Sequence, residues 1–343
     1  MSDSKAEPST HQLNNLTVPA EHHVAGRDLV RIRVPVVTPP RQRARWTLPA
    51  SVQAKLVGRT ENATSFERLA DCQMRWMLLD VLRLSRGRIA EIPRPDQLLG
   101  NLAHEIANHV LQPGPVADAD AVLFEAEAVF DEVLDAIATP LQQPEYAGEL
   151  AAARARVPVA LAQLARLLRQ KGLSVVGTEL GREGSFGDGL VVNGRLDMLV
   201  EHPVHGLGVI DLKWTRSAKR RRTELAEGRA LQLATYGAIA DPAGGLPVPG
   251  AYYLLNQRRL IGTDGTFLAD EGIEADRTLA DTWTALITTW RTWRDLALTG
   301  TVIATGASEA DTHMPADLPI APGAEPCRYC ELTGLCRVAV EAV

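Results

Sequence analysis

The chain has no run of about 18 or more apolar residues, the length a membrane helix needs, so no membrane span is expected. Met1 to Gln12 are polar and lack an apolar signal core, which points to a cytoplasmic location rather than export. No segment reads G-x-x-x-x-G-K-[ST], so no nucleotide-driven motor is visible. No internal repeat stands out. An excess of positive charge is also missing: 36 Lys and Arg stand against 42 Asp and Glu, for a net charge of −6. That excludes a generally basic nucleic-acid coat and leaves any such binding to local patches. Cysteine is scarce, with four in 343 residues, and without an export signal structural disulfides are not expected. The composition, 45% hydrophobic and 23% charged, suits a soluble globular protein with one large core or a core plus a lobe.

Among what is present, two apolar runs between Gly194 and Lys213 organise the rest. Each holds one aspartate, Asp197 in the first and Asp211 in the second, and the second ends in Asp-x-Lys. A turn segment, Glu201 to Gly206, separates them. Short Val/Ile/Leu runs bounded by Gly, Pro and His predict two antiparallel strands joined as a hairpin. Such a hairpin can bring Asp197 close to Asp211 and Lys213.

Along the chain, residues 1–25 are polar and aperiodic and read as a disordered tail. An N-terminal extension, 26–63, contains a possible edge strand, Asp28 to Val37, stopped by Pro39-Pro40. Residues 64–172 are helical: Thr64 to Arg86 with Thr64 or Ser65 as N-cap, Gln97 to Leu111, Ala117 to Leu141 and Glu149 to Lys171. From 173 to 300 the expected order is a strand (Leu173 to Leu180), a flexible turn with Gly181, Gly184, Gly187 and Gly189, the hairpin, and a basic loop (Arg216 to Arg222). A helix (Arg229 to Ala240), a strand (Ala251 to Asn256) and a long helix (Leu279 to Leu298) then follow. Trp283, Trp290 and Trp293 form a core stripe on that last helix. Residues 301–343 carry the cysteine segment. This order predicts a mixed α/β sheet, with the helices before it forming an inserted lobe.

Two carboxylates and an ammonium at a strand end suit a divalent cation and a phosphate. Mg²⁺ prefers oxygen ligands and keeps several waters, so one or two carboxylates suffice. Two solvated strand-end aspartates are the plainer reading. Against it, both interrupt apolar strands, where a carboxylate is costly unless paired or metal-bound. Glu179 is placed to orient water or metal. Gln232 and Tyr236 are spaced i, i+4 and share a helix face. Arg216, Lys219, Arg220, Arg221 and Arg222 follow the Asp-x-Lys strand closely enough for a phosphate-binding role. Cys327, Cys330 and Cys336 read C-x2-C-x5-C, a spacing that favours a metal or cluster. With Cys72, four thiolates suit either structural Zn²⁺ or a [4Fe–4S] cluster. The single C-x2-C knuckle tilts the choice toward the cluster.

Taken together, Gly194-x-x-Asp197, Asp211-x-Lys213 and Gln232-x3-Tyr236, with His104 and Glu179 upstream, resemble the RecB-like branch of the PD-(D/E)XK nucleases. Ser65-Phe66-Glu67-Arg68-Leu69-Ala70-Asp71-Cys72 with the distant C-x2-C-x5-C resembles the iron–sulfur subgroup. That subgroup includes the AddB-type helicase-nuclease domain and CRISPR-adaptation nucleases. One departure is Gln73, where many relatives have Pro after the cysteine. The resemblance implies a restriction-endonuclease-like mixed β-sheet core flanked by helices, with a C-terminal Fe–S staple. It implies Mg²⁺- or Mn²⁺-dependent cleavage of DNA, on single strands or ends, in repair, recombination or antiphage defence. His104, Asp197, Asp211 and the Leu212 carbonyl would be metal ligands, Lys213 the catalytic lysine, and Gln232 and Tyr236 would line the DNA groove. Cys72, Cys327, Cys330 and Cys336 would clasp a [4Fe–4S] cluster. A separate helicase or ATPase subunit would supply unwinding. The alternative is a catalytically silent DNA-binding or scaffold subunit.

Overall fold

A computed structural model describes residues 23–24, 27–28, 43–84, 93–307 and 310–338. Apart from the short pairing of His23–Val24 with Arg27–Asp28, the expected tail and the strand over Asp28 to Val37 lie outside the described residues. In chain order come β1 (Arg45–Thr47), β2 (Thr60–Glu61), α1 (Ala63–Asp71) and the short α2 (Gln73–Trp76). Next are α3 (Pro95–Val110), β3 (Gly114–Pro115), α4 (Ala119–Ile137) and α5 (Ala147–Gln170). Three strands follow: β4 (Ser174–Ser185), β5 (Val191–His202) and β6 (Gly206–Lys213). They lead to α6 (Lys219–Ala226), α7 (Leu231–Ala240), β7 (Gly250–Leu254), β8 (Arg259–Thr263) and β9 (Glu271–Ile273). The last elements are α8 (Leu279–Leu298), β10 (Thr301–Ile303) and α9 (Thr333–Cys336).

The main sheet runs β9-β8-β7-β6-β5-β4-β3, with β2 pairing beside β5. β4, β5 and β6 form an antiparallel meander, and β6 pairs in parallel with β7, so the sheet is mixed as expected. β6 lies between two strands and is covered on both faces. Its run from Gly208 to Leu212 is therefore buried without alternation, and apolar but for Asp211. On one face Ile210, Leu212, Met198, Val200 and Tyr253 pack against α3, α4 and α5. On the other, Val209, Leu199 and Tyr252 pack against α1, α7 and α8. All three tryptophans of α8 are buried in that second core.

Three local expectations change. The helix expected from Thr64 to Arg86 is interrupted at Cys72, whose φ of −159° and ψ of 116° are extended; a π-turn over Met77–Val81 follows α2. Its cap is Asn62, which forms a reciprocal capping box with Ser65. Ser65 is held further by donating to the buried Glu61 at 2.7 Å. The glycine-rich turn is shorter than expected: Gly181 and Gly184 lie within β4, because that strand pairs with β5 as far as Ser185 with Val191. The basic loop is helical over Lys219–Ala226. Glu224 falls three and four residues after Arg221 and Arg220 and bonds both, at 2.6 and 2.7 Å, which only helical spacing allows.

Gln73, the departure noted above, is buried, and both ends of its amide are used. Its Nε2 donates to the Trp293 carbonyl at 2.7 Å, and its Oε1 accepts from the Ile303 N–H at 2.7 Å. One side chain thus ties the segment after Cys72 to the end of α8 and to β10. Gln73→Leu is expected to leave the Ile303 N–H buried without a partner and to lower unfolding stability by about 1–3 kcal/mol. Urea denaturation measures this; an unchanged midpoint would contradict the tie.

Candidate active site

The last paired rung between β5 and β6 is Met198 with Ile210. One step further along each strand stand Asp197 and Asp211, beyond the ladder. The Leu212 N–H donates to Asp197 Oδ2 at 2.8 Å, and the Leu212 carbonyl lies 3.0 Å from His104 Nε2. His104 comes from α3 on one face of the sheet. Its other nitrogen, Nδ1, lies 3.5 Å from Glu179 and 3.6 Å from Asp197. Asp211 is fully buried, and neither of its carboxylate oxygens accepts an aligned hydrogen bond. Lys213 Nζ stands 2.6 Å from Asp211 Oδ2 as an ion pair, without the angle of a hydrogen bond. Alternation explains the pair: residues two apart on a strand share a face.

Glu179 sits on β4 between the rungs Thr178–Met198 and Leu180–Leu196, which places it across from Asp197. Its φ is +49°, left-handed backbone inside a strand, a conformation that costs a non-glycine residue about 1 kcal/mol. Arg195 clamps it, with Nε 2.7 Å from Oε2 and donating to the Glu179 carbonyl at 3.1 Å. Arg195 stands two residues before Asp197 on the same strand. Sequence reasoning passed over it, although that i, i+2 spacing was the available signal.

The electrostatics follow from burial and crowding. Burial, then the neighbouring Asp211 charge, pushes the Asp197 carboxyl up to about 7. Burial opposes charge on His104, but the hydrogen bond to Glu179 and the charges of Asp197 and Asp211 outweigh it and raise its pKa. The His104 hydrogen bond, with lesser help from Arg195, holds Glu179 below the ordinary carboxylate range. Donor atoms of His104, Glu179 and Asp197 lie within 4.8 Å of one another. With the Asp211 oxygens, which accept no aligned hydrogen bond, beside them, this hard, anionic donor set fits a divalent cation.

On α7, Gln232 Nε2 donates to the Tyr236 hydroxyl at 3.1 Å, so the expected i, i+4 pair is joined. The basic run is largely spoken for. Arg220 and Arg221 pair with Glu224, and Arg222 makes two bonds to Glu271 at 2.8 and 2.9 Å. Arg216 and Lys219 remain exposed, Arg216 lying 3.6 Å from Asp96. Apart from this site, Cys72, Cys327, Cys330 and Cys336 line one largely enclosed, apolar cavity. Burial first, then the other three sulfurs, pushes the Cys336 thiol up to about 12. Among the described residues no three of these sulfurs lie within 4.8 Å of one another.

The raised Asp197 and His104 groups both bind protons more tightly folded than unfolded. Their contribution to stability is full at low pH and is lost as pH rises through about 7, while a cation competes for the deprotonated site. Stabilisation by added Mg²⁺ should therefore grow between about pH 6 and about pH 8, by roughly 3 °C in Tm, and vanish in Asp197→Asn. Differential scanning fluorimetry reads it; a pH-independent shift would contradict the assignment.

No curated protein matches the chain in a sequence search. The family model of the PD-(D/E)XK nuclease superfamily matches residues 62–337, which span α1 through the cysteine segment. The mixed sheet flanked by helices agrees with the restriction-endonuclease-like fold of that superfamily. A strand-end Asp197, a buried Asp211 and Lys213 two residues beyond it meet in one place, within a family match that covers most of the sequence, and the chain belongs to the PD-(D/E)XK nuclease superfamily.

Proposed function

We propose that this nuclease is a divalent-metal-dependent deoxyribonuclease that hydrolyses phosphodiester bonds in single strands or at DNA ends. The observation that carries the reading is the buried Asp211 carboxylate, without an aligned hydrogen bond, beside Asp197 and 2.6 Å from Lys213. His104, Asp197, Asp211 and the Leu212 carbonyl would hold Mg²⁺ or Mn²⁺. When bound, the ion lowers the pKa of an attacking water and offsets charge on the phosphate. Lys213, held by Asp211, directs its ammonium at the same phosphate and stabilises the negative charge that develops there. Glu179, fixed by Arg195, holds His104 in orientation and accepts a hydrogen bond from it. Gln232 and Tyr236 line the approach of the strand, and Arg216 and Lys219 are left to meet outer phosphates. The protein would act in the cytoplasm, in repair, recombination or antiphage defence, with a separate helicase or ATPase supplying unwinding.

The four cysteines, in this reading, hold a [4Fe–4S] cluster. Two features support it. A buried, apolar cavity lined by four thiols disfavours their ionisation unless a cationic group compensates. The single C-x2-C knuckle favours a cluster over a zinc ribbon, which usually pairs two such knuckles. The cluster would close the C-terminal segment onto Cys72.

Asp211→Ala and Lys213→Ala are each expected to lower Mg²⁺-dependent cleavage of a single-stranded oligonucleotide at least about 10³-fold while the circular dichroism spectrum stays native. Retained activity in both would overturn the nuclease reading and favour the scaffold alternative. Cys327→Ser is expected to lose the brown colour of an iron–sulfur cluster and to lower soluble yield. Colourless wild-type protein with one zinc per chain would overturn the cluster and leave the nuclease untouched.

A further inference from the structure

Beside the carboxylates runs a cleft of about 760 Å³. It lies between the start of α1 (Asn62 to Thr64), the β4–β5 ladder and Tyr236 of α7. Three arginines line it, Arg68, Arg182 and Arg195, against one carboxylate, Glu183. We propose that this cleft is the track of a single nucleic-acid strand entering the active site, with Arg182 as its principal phosphate contact. The inference rests on the nuclease reading and names the path that reading leaves open.

Four observations carry it. First, the cleft shares a wall residue with the catalytic group. Its wall residue Arg195 bonds Glu179 at 2.7 Å, and Glu179 in turn touches His104. Second, its cations are not equivalent. Arg68 is paired with Asp80 at 2.7 Å and Arg195 with Glu179, whereas among the described residues Arg182 has no ion-pair partner. An uncompensated guanidinium facing a cleft is suited to a phosphate. Third, the obvious alternative is reduced to Arg216 and Lys219. Arg220, Arg221 and Arg222, the densest basic run in the sequence, are tied to Glu224 and Glu271. Fourth, Tyr236 lines the cleft, and aromatic side chains are what bases stack on in single-strand tracks. The first turn of α1, opening onto the same space, adds the positive end of a helix. In this proposal the space, about 760 Å³, is the path of one strand.

The test uses the full chain carrying Lys213→Ala, to suppress cleavage, and fluorescence anisotropy of a fluorescein-labelled oligothymidylate of about 20 nucleotides. Adding Arg182→Ala should weaken binding about three- to tenfold and make the slope of log K against log salt shallower by about 0.7, one phosphate contact on a single strand. Arg182→Gln, which keeps length without charge, should lose as much, and Arg182→Lys should recover most of it. Arg166→Ala, on the exposed face of α5, should match the parent. Unchanged affinity and slope in both neutral variants would overturn the track. So would equal, Arg182-dependent binding of the corresponding duplex. Cleavage by the wild-type chain is measured in parallel. Its absence defeats the nuclease reading, whereas cleavage with Arg182-independent binding defeats only the track.

Discussion

A carboxylate at the centre of a sheet, closed off from water and without an aligned hydrogen bond, is the constraint around which this molecule is arranged. Desolvating the charge of Asp211 is costly unless cations or hydrogen bonds offset it. Lys213 offsets part of that cost from 2.6 Å. The remainder is left open on the side where β5 and β6 part after the Met198–Ile210 rung. A structural sheet has no reason to open there, since continued pairing would cover the strand ends. The opening frees Leu212 to meet Asp197 with its N–H and His104 with its carbonyl, so the backbone belongs to the site as much as the side chains do.

The rest of the fold supplies this strand end from both faces. α3 brings His104 from the side packed on α4 and α5, and α7 brings Gln232 and Tyr236 from the side packed on α1 and α8. Gly194, at the head of the Gly-x-x-Asp motif, explains why α7 can lie so close. A Cβ there would stand 2.8 Å from Ile239 and 3.2 Å from Tyr236. At the far side of the same core, Gln73 and the cysteine cavity tie Cys72 to the C-terminal segment, so the helix that borders the arginine cleft is anchored at both ends. Ser65 and Asn62 close one end, and the break at Cys72 defines the other.

Features that depend on near neighbours were legible in the sequence. The β5–β6 hairpin, the Asp-x-Lys strand end, the Gln232–Tyr236 face and the limits of α8 all follow from local periodicity and turn residues. What depends on contacts far along the chain was not. The helix break at Cys72 falls where that residue lines a cavity with Cys327, Cys330 and Cys336, distant in the chain, and nothing in Thr64 to Arg86 announces it. The basic run looked like a free phosphate loop because Glu271, which holds Arg222, belongs to a distant strand. The left-handed backbone of Glu179 is likewise invisible without the clamp of Arg195 from β5. Most of the basic run after β6 is paired off, whereas among the described residues Arg182 on β4 has no ion-pair partner.

The central claim is that the opening between β5 and β6 exists to hold a divalent cation. Anomalous scattering from crystals of the wild-type chain soaked in manganese chloride tests it directly. The account predicts one manganese peak bounded by His104, Asp197, Asp211 and the Leu212 carbonyl. A map with no peak there, or with manganese only at surface carboxylates, would contradict it.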